Sequence, residues 1–239
     1  MRIVMMGTGP FAVPTFESLW QSDHEVVALV TRPTRPAANK KAAPVNPMRE
    51  AAEAHGLPVM DPEDLNTPAA QTAVAAYAPD LLVVCDYGQI LSPESLAVAP
   101  LGGINLHGSL LPRHRGAAPV QYAILAGDET TGVSVQRMVL ALDAGDVLLE
   151  REVAIEAEET AGALHDRLAQ LAGEAAVAAL DELASGEPVF TPQEKSRVTM
   201  TRRMQGPPRD HGGLLVAELQ DAQLGRGRLL RHGRRLCCR

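Results

Sequence analysis

The sequence predicts an α/β protein built on a doubly wound, mostly parallel β-sheet. Short apolar runs alternate along the chain with segments whose apolar residues recur at helical spacing. Strands buried on both faces of a parallel sheet have this near-continuous apolar character. Two later runs instead alternate apolar and polar residues, which predicts an antiparallel edge on the same sheet.

The elements follow from these patterns in chain order. Apolar runs predict strands at 2–6 (RIVMM), 25–30 (EVVALV), 57–60 (LPVM), 80–86 (DLLVVCD) and 102–107 (GGINLH). Between them, helices are expected over 10–21, 46–56, 68–78 and about 117–126. Alternation predicts half-buried strands at 132–138 and 147–155, and a long amphipathic helix over 159–186 ends at Gly186.

The regular pattern stops near residue 190, which we take as the domain boundary. Residues 1–190 are expected to form the catalytic domain. Residues 191–239 are rich in glycine and arginine and contain few periodic apolar runs, so a basic linker or tail is expected there. A second basic stretch, rich in proline, forms a predicted loop over 31–46.

Composition limits the possible classes. The 239 residues are 46% hydrophobic, which allows a sizeable core, and no apolar run approaches a membrane span. The N-terminal stretch does not have the pattern of a signal peptide, so we expect a cytoplasmic protein. A net charge of −7 argues against general attraction to nucleic acid, but the local basic clusters can still contact phosphates. The three cysteines have neither zinc-site nor disulfide spacing, so no metal is expected.

A glycine-rich turn follows the first strand. Residues 7–12 (GTGPFA) fit the pattern of a dinucleotide-binding turn, which keeps a dinucleotide oxidoreductase as an alternative. The second strand, however, ends at Val30-Thr31-Arg32, without the acidic residue that would bind a ribose. We therefore interpret the turn as a tight strand–helix connection beside a substrate site.

The stretch INLHGSLLPRHRG (104–116) carries the strongest chemical signal. Side chains two apart on a strand share a face, so Asn105 and His107 point into the same cleft. An amide and an imidazole can stabilise the oxyanion of a carbonyl under attack, and the imidazole can also exchange a proton. In ALDAGD (141–146), either Asp143 or Asp146 could pair with His107. The apolar Ser109–Pro112 loop could hold the flat face of a ligand.

These stretches together resemble the formyltransferases that use 10-formyltetrahydrofolate, most closely the members that act on methionyl-tRNA. The resemblance covers about residues 1–200. It rests on GTGPFAVPTFESL, on CDYGQIL, and on the long INLHGSLLPRHRGAAPVQYAILAGDETTGVSVQRM segment followed by LDAGD. It implies a Rossmann-like domain that transfers the formyl group of 10-formyltetrahydrofolate, without a metal, to the α-amine of initiator methionyl-tRNA.

The resemblance also assigns roles to residues. It makes Asn105, His107 and Asp143 the catalytic set. The folate-binding residues would be Tyr87, Gly88 and Gln89 together with Ser109, Leu110, Leu111 and Pro112. The basic loop would contact the tRNA acceptor stem through Arg35, Lys40 and Lys41. We expect a monomer.

Some positions depart from the family pattern. Members usually carry a C-terminal β-barrel domain, in whose place we expect the basic tail. Asp86 stands where a small residue is common, and His114 stands where an aromatic residue is common. His24, His55 and His165 have no partners at metal spacing and are interpreted as structural or solvent-exposed.

Several functional alternatives remain at this stage. The first is a sister formyltransferase acting on a sugar-nucleotide amine or on glycinamide ribonucleotide, although the basic 31–46 loop favours tRNA. A hydrolase of formyl-folate is another, because water can replace the amine. A non-catalytic folate- or tRNA-binding remnant is the third.

Overall fold

The computed structural model describes residues 1–34 and 45–204. The predicted tRNA contacts Arg35, Lys40 and Lys41 lie outside these residues, as does most of the predicted tail. In the described part of the chain, no helix is both long and apolar enough to cross a membrane.

The described residues form nine strands and six α-helices. The strands are β1 (Arg2–Met6), β2 (Glu25–Val30), β3 (Val59–Met60), β4 (Leu81–Val84), β5 (Gly103–His107), β6 (Arg115–Gly116), β7 (Thr130–Arg137), β8 (Val147–Ala154) and β9 (Met200–Thr201). The helices are α1 (Ala12–Trp20), α2 (Pro47–Ala54), α3 (Pro68–Ala75), α4 (Pro93–Leu96), α5 (Pro119–Ala126) and α6 (Ala161–Ser185). Of these, β6, β9 and α4 were not expected, because two to four residues are too few to form a periodic pattern.

Seven of these strands form one sheet in the order β3-β2-β1-β4-β5-β7-β8. The first five are parallel, and β7 and β8 are antiparallel to their neighbours. The predicted doubly wound sheet with an antiparallel edge is thereby confirmed. The chain builds outward from β1 in one direction and then restarts with β4 on its other side. Ligands of such sheets bind in the crevice at this reversal, outside the carboxyl ends of the strands.

Both faces of the central strands are buried. Ile3 and Met5 of β1 pack into one cluster with α1, α2 and α6, whereas Val4 and Met6 pack into a second cluster on the opposite face. Gly173 allows α6 to approach α1 closely, because a Cβ at this position would lie 2.8 Å from the Pro14 carbonyl oxygen. The central strands are therefore held rigidly, and so are the residues at their ends.

The compact unit ends later than the expected boundary at residue 190. It continues to Arg203, because the chain after α6 crosses back over the sheet. Thr191 bridges to Val147, and β9 pairs in parallel with β6. The segment 191–203 is therefore packed against the loops that follow β5 and β7.

Candidate active site

A cavity of about 530 Å³ lies beyond the carboxyl ends of β4 and β5. The turn after β1 and the loop after β7 complete its walls. Its lining includes Asn105, His107, Asp143, the segment 86–91, the segment 136–145, and Phe11 and His165. It therefore occupies the crevice where ligands of doubly wound sheets bind.

The structure brings the three predicted catalytic residues together. Asn105 and His107 stand on β5, and Asp143 follows β7. Asn105 Nδ2 lies 3.4 Å from Asp143 Oδ1, and His107 Nδ1 lies 3.7 Å from Asp143 Oδ2. The alternative carboxylate, Asp146, is exposed and does not line the cavity. Of the two acids that spacing left open, Asp143 is the one that faces His107.

The two nitrogens of His107 have different surroundings. Nε2 lies 2.9 Å from the backbone oxygen of His114. Because a carbonyl oxygen only accepts hydrogen bonds, Nε2 carries a hydrogen and donates it there. Nδ1 faces Asp143 at a distance longer than a direct hydrogen bond. Nδ1 is therefore the nitrogen that can interact with a substrate atom in the cavity.

Asp143 is held by several donors. The Gly116 backbone N–H donates to Oδ2 at 2.8 Å, and Gln136 Nε2 donates to Oδ1 at 3.0 Å. The backbone of Asp143 has a φ of +47°, in the left-handed region that non-glycine residues seldom adopt. Such a conformation persists only where the surroundings impose it, so this carboxylate is fixed in place.

Gln193 is the main support of the Asp143 loop. Its Nε2 lies 2.6 Å from the Gly145 carbonyl oxygen and 3.0 Å from that of Asp143. Its Oε1 accepts hydrogen bonds from Arg115 Nε and Nη2 at 2.9 and 2.7 Å. Sequence reasoning missed Gln193, which lies within the predicted tail, and no local pattern marks it.

The Ser109–Pro112 loop lies outside the cavity lining. Ser109 and Leu111 are buried. The Leu111 backbone N–H donates to Ser134 Oγ at 2.9 Å, and Ser109 Oγ donates to the Arg113 carbonyl oxygen at 2.7 Å. These contacts indicate a structural role, since they shape the loop that ends in the His114 carbonyl beside His107.

His114 is itself anchored. Its buried imidazole Nε2 lies 2.6 Å from Asp128 Oδ2, and Arg113 also bonds to that carboxylate. Burial alone raises the pKa of Asp128, but the hydrogen bonds from Arg113 and His114 outweigh it and leave the pKa lowered. The carbonyl that accepts the His107 hydrogen bond therefore belongs to a residue that is itself held in place by hydrogen bonds.

Tyr87, Gly88 and Gln89 line the cavity, as expected for a ligand-binding loop. The buried Tyr87 hydroxyl donates to Gln89 Oε1 at 3.2 Å, and burial raises its pKa to about 12. Beside them, Ile90, Leu140 and Leu142 are exposed around the same cavity. This half of the cavity offers apolar surface to a flat ligand, an arrangement usual for small-molecule sites.

The cavity also contains His165 and Asp86, which the sequence had not assigned to the site. His165, expected to be structural or exposed to solvent, lines the cavity with its ring edge-on to Phe11 at 5.2 Å. Asp86 lines the cavity as well. Its side chain is exposed to the cavity. Partial burial by the surrounding walls nevertheless raises the pKa of Asp86, and the charge of His165 partly offsets this rise.

Comparison with known proteins agrees with this geometry. A family model described as formyl transferase matches residues 1–180. Methionyl-tRNA formyltransferase from Rhodopirellula baltica is 44% identical over 214 residues, which are 85% of this chain and 64% of that protein. The enzyme of the same name from Chromohalobacter salexigens is 46% identical over 204 residues, which cover 85% and 63%. The chain spans just under two thirds of the length of these relatives.

Solved structures share the fold. Glycinamide ribonucleotide transformylase 1 from Geobacillus kaustophilus superimposes with a TM-score of 0.60 at 26% identity, over 76% of this chain and 97% of that one. The enzyme of the same name from Symbiobacterium toebii gives 0.65 at 21% identity, over 81% and 94%. An N-formyltransferase from Helicobacter canadensis, solved with folinic acid and dTDP-3-aminofucose, gives 0.63 at 13% identity, over 84% and 70%. These structures share the fold, and the match of the family model over most of the sequence shows that the chain belongs to the formyl transferase family.

Proposed function

We propose that this protein transfers the formyl group of 10-formyltetrahydrofolate to the α-amine of initiator methionyl-tRNA. The observation that carries the proposal is the convergence of Asn105, His107 and Asp143 in the cavity at the strand ends. The choice of methionyl-tRNA is supported by relatives named methionyl-tRNA formyltransferase at 42–46% identity.

The reaction exchanges one carbon–nitrogen bond for another. The neutral α-amine attacks the formyl carbon, and the carbonyl oxygen becomes an oxyanion in the tetrahedral intermediate. When the intermediate collapses, the bond from the formyl carbon to N10 of the folate breaks. The proton lost by the amine nitrogen ends on N10, so atoms and charge balance. An α-amine has a pKa of about 7.7, so about one sixth of it is neutral and nucleophilic at pH 7.

The three side chains have separate tasks in this scheme. Asn105 Nδ2 has two hydrogens, one directed at Asp143 and one free to donate to the oxyanion. His107 Nδ1 faces the same space and handles the proton that moves between the amine and N10. Asp143, fixed by Gly116 and Gln136, orients His107.

The folate occupies the half of the cavity formed by Tyr87–Gln89 and the loop after β7. Exposed Ile90, Leu140 and Leu142 are suited to the flat pterin and benzoyl rings. The reactive group resides on the folate, so no metal is required, and the protein mainly positions and polarises. Ser109–Pro112 supports the site from behind and is not included in the proposed folate contacts.

The tRNA contacts are proposed from the sequence. Arg35, Lys40 and Lys41 are cationic residues between β2 and α2 in the sequence, and the acceptor stem is their proposed partner. The Arg-rich residues beyond 204 supply further positive charge for the tRNA backbone. We propose that a single protomer acts on each tRNA.

A sister reaction is the second candidate. The solved structures named above are glycinamide ribonucleotide and sugar formyltransferases, and their domains superimpose on this one. Asn105, His107 and Asp143 would perform the same chemistry on any primary amine.

Single-turnover transfer from 10-formyltetrahydrofolate separates these candidates. The full chain, in excess, is mixed with initiator methionyl-tRNA, with glycinamide ribonucleotide, or with an amino sugar nucleotide, and formylated product is quantified. The proposal expects rapid transfer to the tRNA and at least 100-fold slower transfer to the two small amines. Transfer to a small amine without transfer to tRNA would reassign the substrate. Absence of all three transfers, with folate still bound, would leave a binding protein.

A further inference from the structure

We propose that the Asp86 carboxylate binds the attacking amine of the acceptor substrate and turns its lone pair toward the formyl carbon. Asp86 is then a specificity-determining residue for an amine at the end of a larger substrate. The inference rests on the proposed function and adds the recognition of the nucleophile to it.

Asp86 and His107 line the same cavity. In the parallel pairing of β4 with β5, Val84 lies opposite Asn105. Asp86 and His107 each follow two residues after this last pair. The backbone N–H of Thr8 donates to the Asp86 carbonyl oxygen at 3.0 Å, which ties Asp86 to the turn after β1. Asp86 therefore lies between that turn and His107, in the crevice where the sheet reverses.

The carboxylate is directed into the cavity. It lies against the Cα of Gly9, because a Cβ at Gly9 would approach Asp86 Cγ to 2.8 Å. Asp86 has a φ of +48°, a conformation that Asp tolerates better than most residues and that turns its side chain out of the strand. The Asp86 carboxylate therefore packs closely against the turn after β1.

No side-chain donor within the described residues is hydrogen-bonded to the Asp86 carboxylate. Its backbone oxygen accepts hydrogen bonds from Thr8 and Gly9, but its carboxylate oxygens take part in neither a hydrogen bond nor a salt bridge there. Because the Asp86 side chain is exposed to the cavity, its oxygens remain open to a ligand. A ligand that brings N–H groups or positive charge can form charge-assisted hydrogen bonds with them.

The acceptor amine carries N–H groups and, when protonated, a positive charge. It must also enter this part of the cavity in order to react. It attacks a formyl carbon held beside Asn105 and His107, and Asp86 lines the same cavity from the side of the turn after β1. A carboxylate attracts the protonated form of the amine as it arrives and accepts an N–H from the neutral form. With one N–H donated to Asp86, the lone pair is free to face the formyl carbon, as a productive geometry requires.

The pterin ring also carries N–H groups, so the test must separate the amine from the folate. Two forms of initiator tRNA serve as probes. One carries methionine through a stable amide at its 3′ end, and the other carries 4-(methylthio)butanoate through the same linkage and so lacks only the amine. Their affinities for the full chain are measured without a formyl donor, together with the affinity for 5-formyltetrahydrofolate. The variant is Asp86→Asn, which preserves size and tolerates the backbone conformation.

Asp166→Asn is the matched control, because Asp166 is an exposed carboxylate beside His165 that does not line the cavity. The wild type should bind the amine-bearing tRNA about tenfold more tightly than the tRNA without the amine. Asp86→Asn should reduce this ratio to near one and leave the affinity for 5-formyltetrahydrofolate unchanged. Asp166→Asn should behave as the wild type.

Two results would overturn the inference. Asp86→Asn would either retain the tenfold preference or lose affinity for 5-formyltetrahydrofolate instead, which would assign the carboxylate to the folate. A wild type that binds neither tRNA gives a different pattern. In that case the proposed function itself fails, and the inference falls with it.

Discussion

The cavity contains two carboxylates with opposite environments. Asp143 receives hydrogen bonds from Gly116 and Gln136, and Gln193 holds its loop. Asp86, at the end of β4, has no side-chain donor on its carboxylate among the described residues. A carboxylate whose acceptor sites are filled by the protein is a fixed part of the machinery. A carboxylate whose acceptor sites are open is available to a ligand.

In the proposed reaction, this contrast assigns the two acids to different stages. Asp143 would act through His107, so we expect it to affect the rate of the chemical step. Asp86 would hold the incoming amine, so we expect it to affect mainly how strongly the acceptor binds. Each assignment can be tested by changing one acid, or one of its supports, while leaving the other in place.

The largest effect is expected from His107→Ala, which removes the group that Asp143 serves. General acid–base catalysis contributes about 10²–10⁴-fold, so single-turnover transfer should slow by about 10³-fold. In the His107→Ala background, Asp143→Asn should add little, whereas Asp86→Asn should still weaken acceptor binding. Quench-flow rates and acceptor affinities for the single and double variants check this. Additive rate losses for His107→Ala and Asp143→Asn would contradict the coupling of the two residues.

Gln193→Ala should lower the transfer rate at saturating acceptor by about tenfold. The substitution removes the amide that joins the loop around Asp143 and Gly145 to Arg115. Small displacements of catalytic groups lower the reaction rate strongly. The preference for an amine-bearing tRNA should not change, because Asp86 does not contact Gln193. Gln170→Ala, on the exposed face of α6, is the control and should leave both quantities unchanged. A loss of amine preference in Gln193→Ala would show that the surroundings of Asp143 and those of Asp86 are not independent.

Ser134→Ala should destabilise the loop behind His107. The change leaves the buried Leu111 N–H without its acceptor, which costs about 1–3 kcal/mol. For a chain of this size the melting temperature should fall by about 5 °C. Ser185→Ala, at the exposed end of α6, is the matched control. An unchanged melting temperature would contradict the structural role given to the Ser109–Pro112 loop.

The smallest expected effect is a gain in stability from Asp86→Asn. Burial raises the pKa of Asp86 above its unfolded value, so the folded state holds this proton more tightly. The stability linked to that proton is present below the unfolded pKa and is lost as the pH rises through the folded pKa. At pH 7 the charged Asp86 therefore costs stability, and Asn relieves that cost.

Thermal unfolding between pH 4 and pH 8 tests this sign. Asp86→Asn should melt slightly above the wild type at pH 7, and the difference should shrink toward pH 4. Asp143→Asn should melt below the wild type, because an amide cannot accept hydrogen bonds from both Gly116 and Gln136. A loss of stability in Asp86→Asn at pH 7 would mean that the protein itself satisfies this carboxylate.

The fold could be predicted from the sequence because the signals for its strands and helices are local. RIVMM and EVVALV are apolar in the manner of buried strands, and β1 and β2 are buried as expected. The spacing of Asn105 and His107 placed both on one side of β5, since side chains repeat every two residues. GVSVQRM alternates and predicted a half-buried strand, but this prediction was wrong, because β7 is buried on both faces from Thr131 to Gln136.

The rest of the site depends on long-range register. The partnership of His107 with Asp143 exists because β7 pairs with β5, which spacing alone could not distinguish from a partnership with Asp146. Gln193 reaches the site only because the chain crosses back after α6. His165 showed no periodic or metal signal, and its place in the cavity depends on how α6 lies over the sheet. The sequence likewise could not show whether Leu110 and Leu111 contact a ligand or pack into the interior.

The most direct test of the central contrast is single-turnover formyl transfer measured over a range of methionyl-tRNA concentrations. The wild type, Asp143→Asn and Asp86→Asn are compared with saturating 10-formyltetrahydrofolate. The account predicts that Asp143→Asn lowers the maximal rate by at least 100-fold and leaves the half-saturating tRNA concentration within about twofold. It predicts that Asp86→Asn raises the half-saturating concentration by about tenfold and changes the maximal rate much less. If both substitutions lowered only the maximal rate, the two carboxylates would serve the same step, and the division of the cavity proposed for them would be wrong.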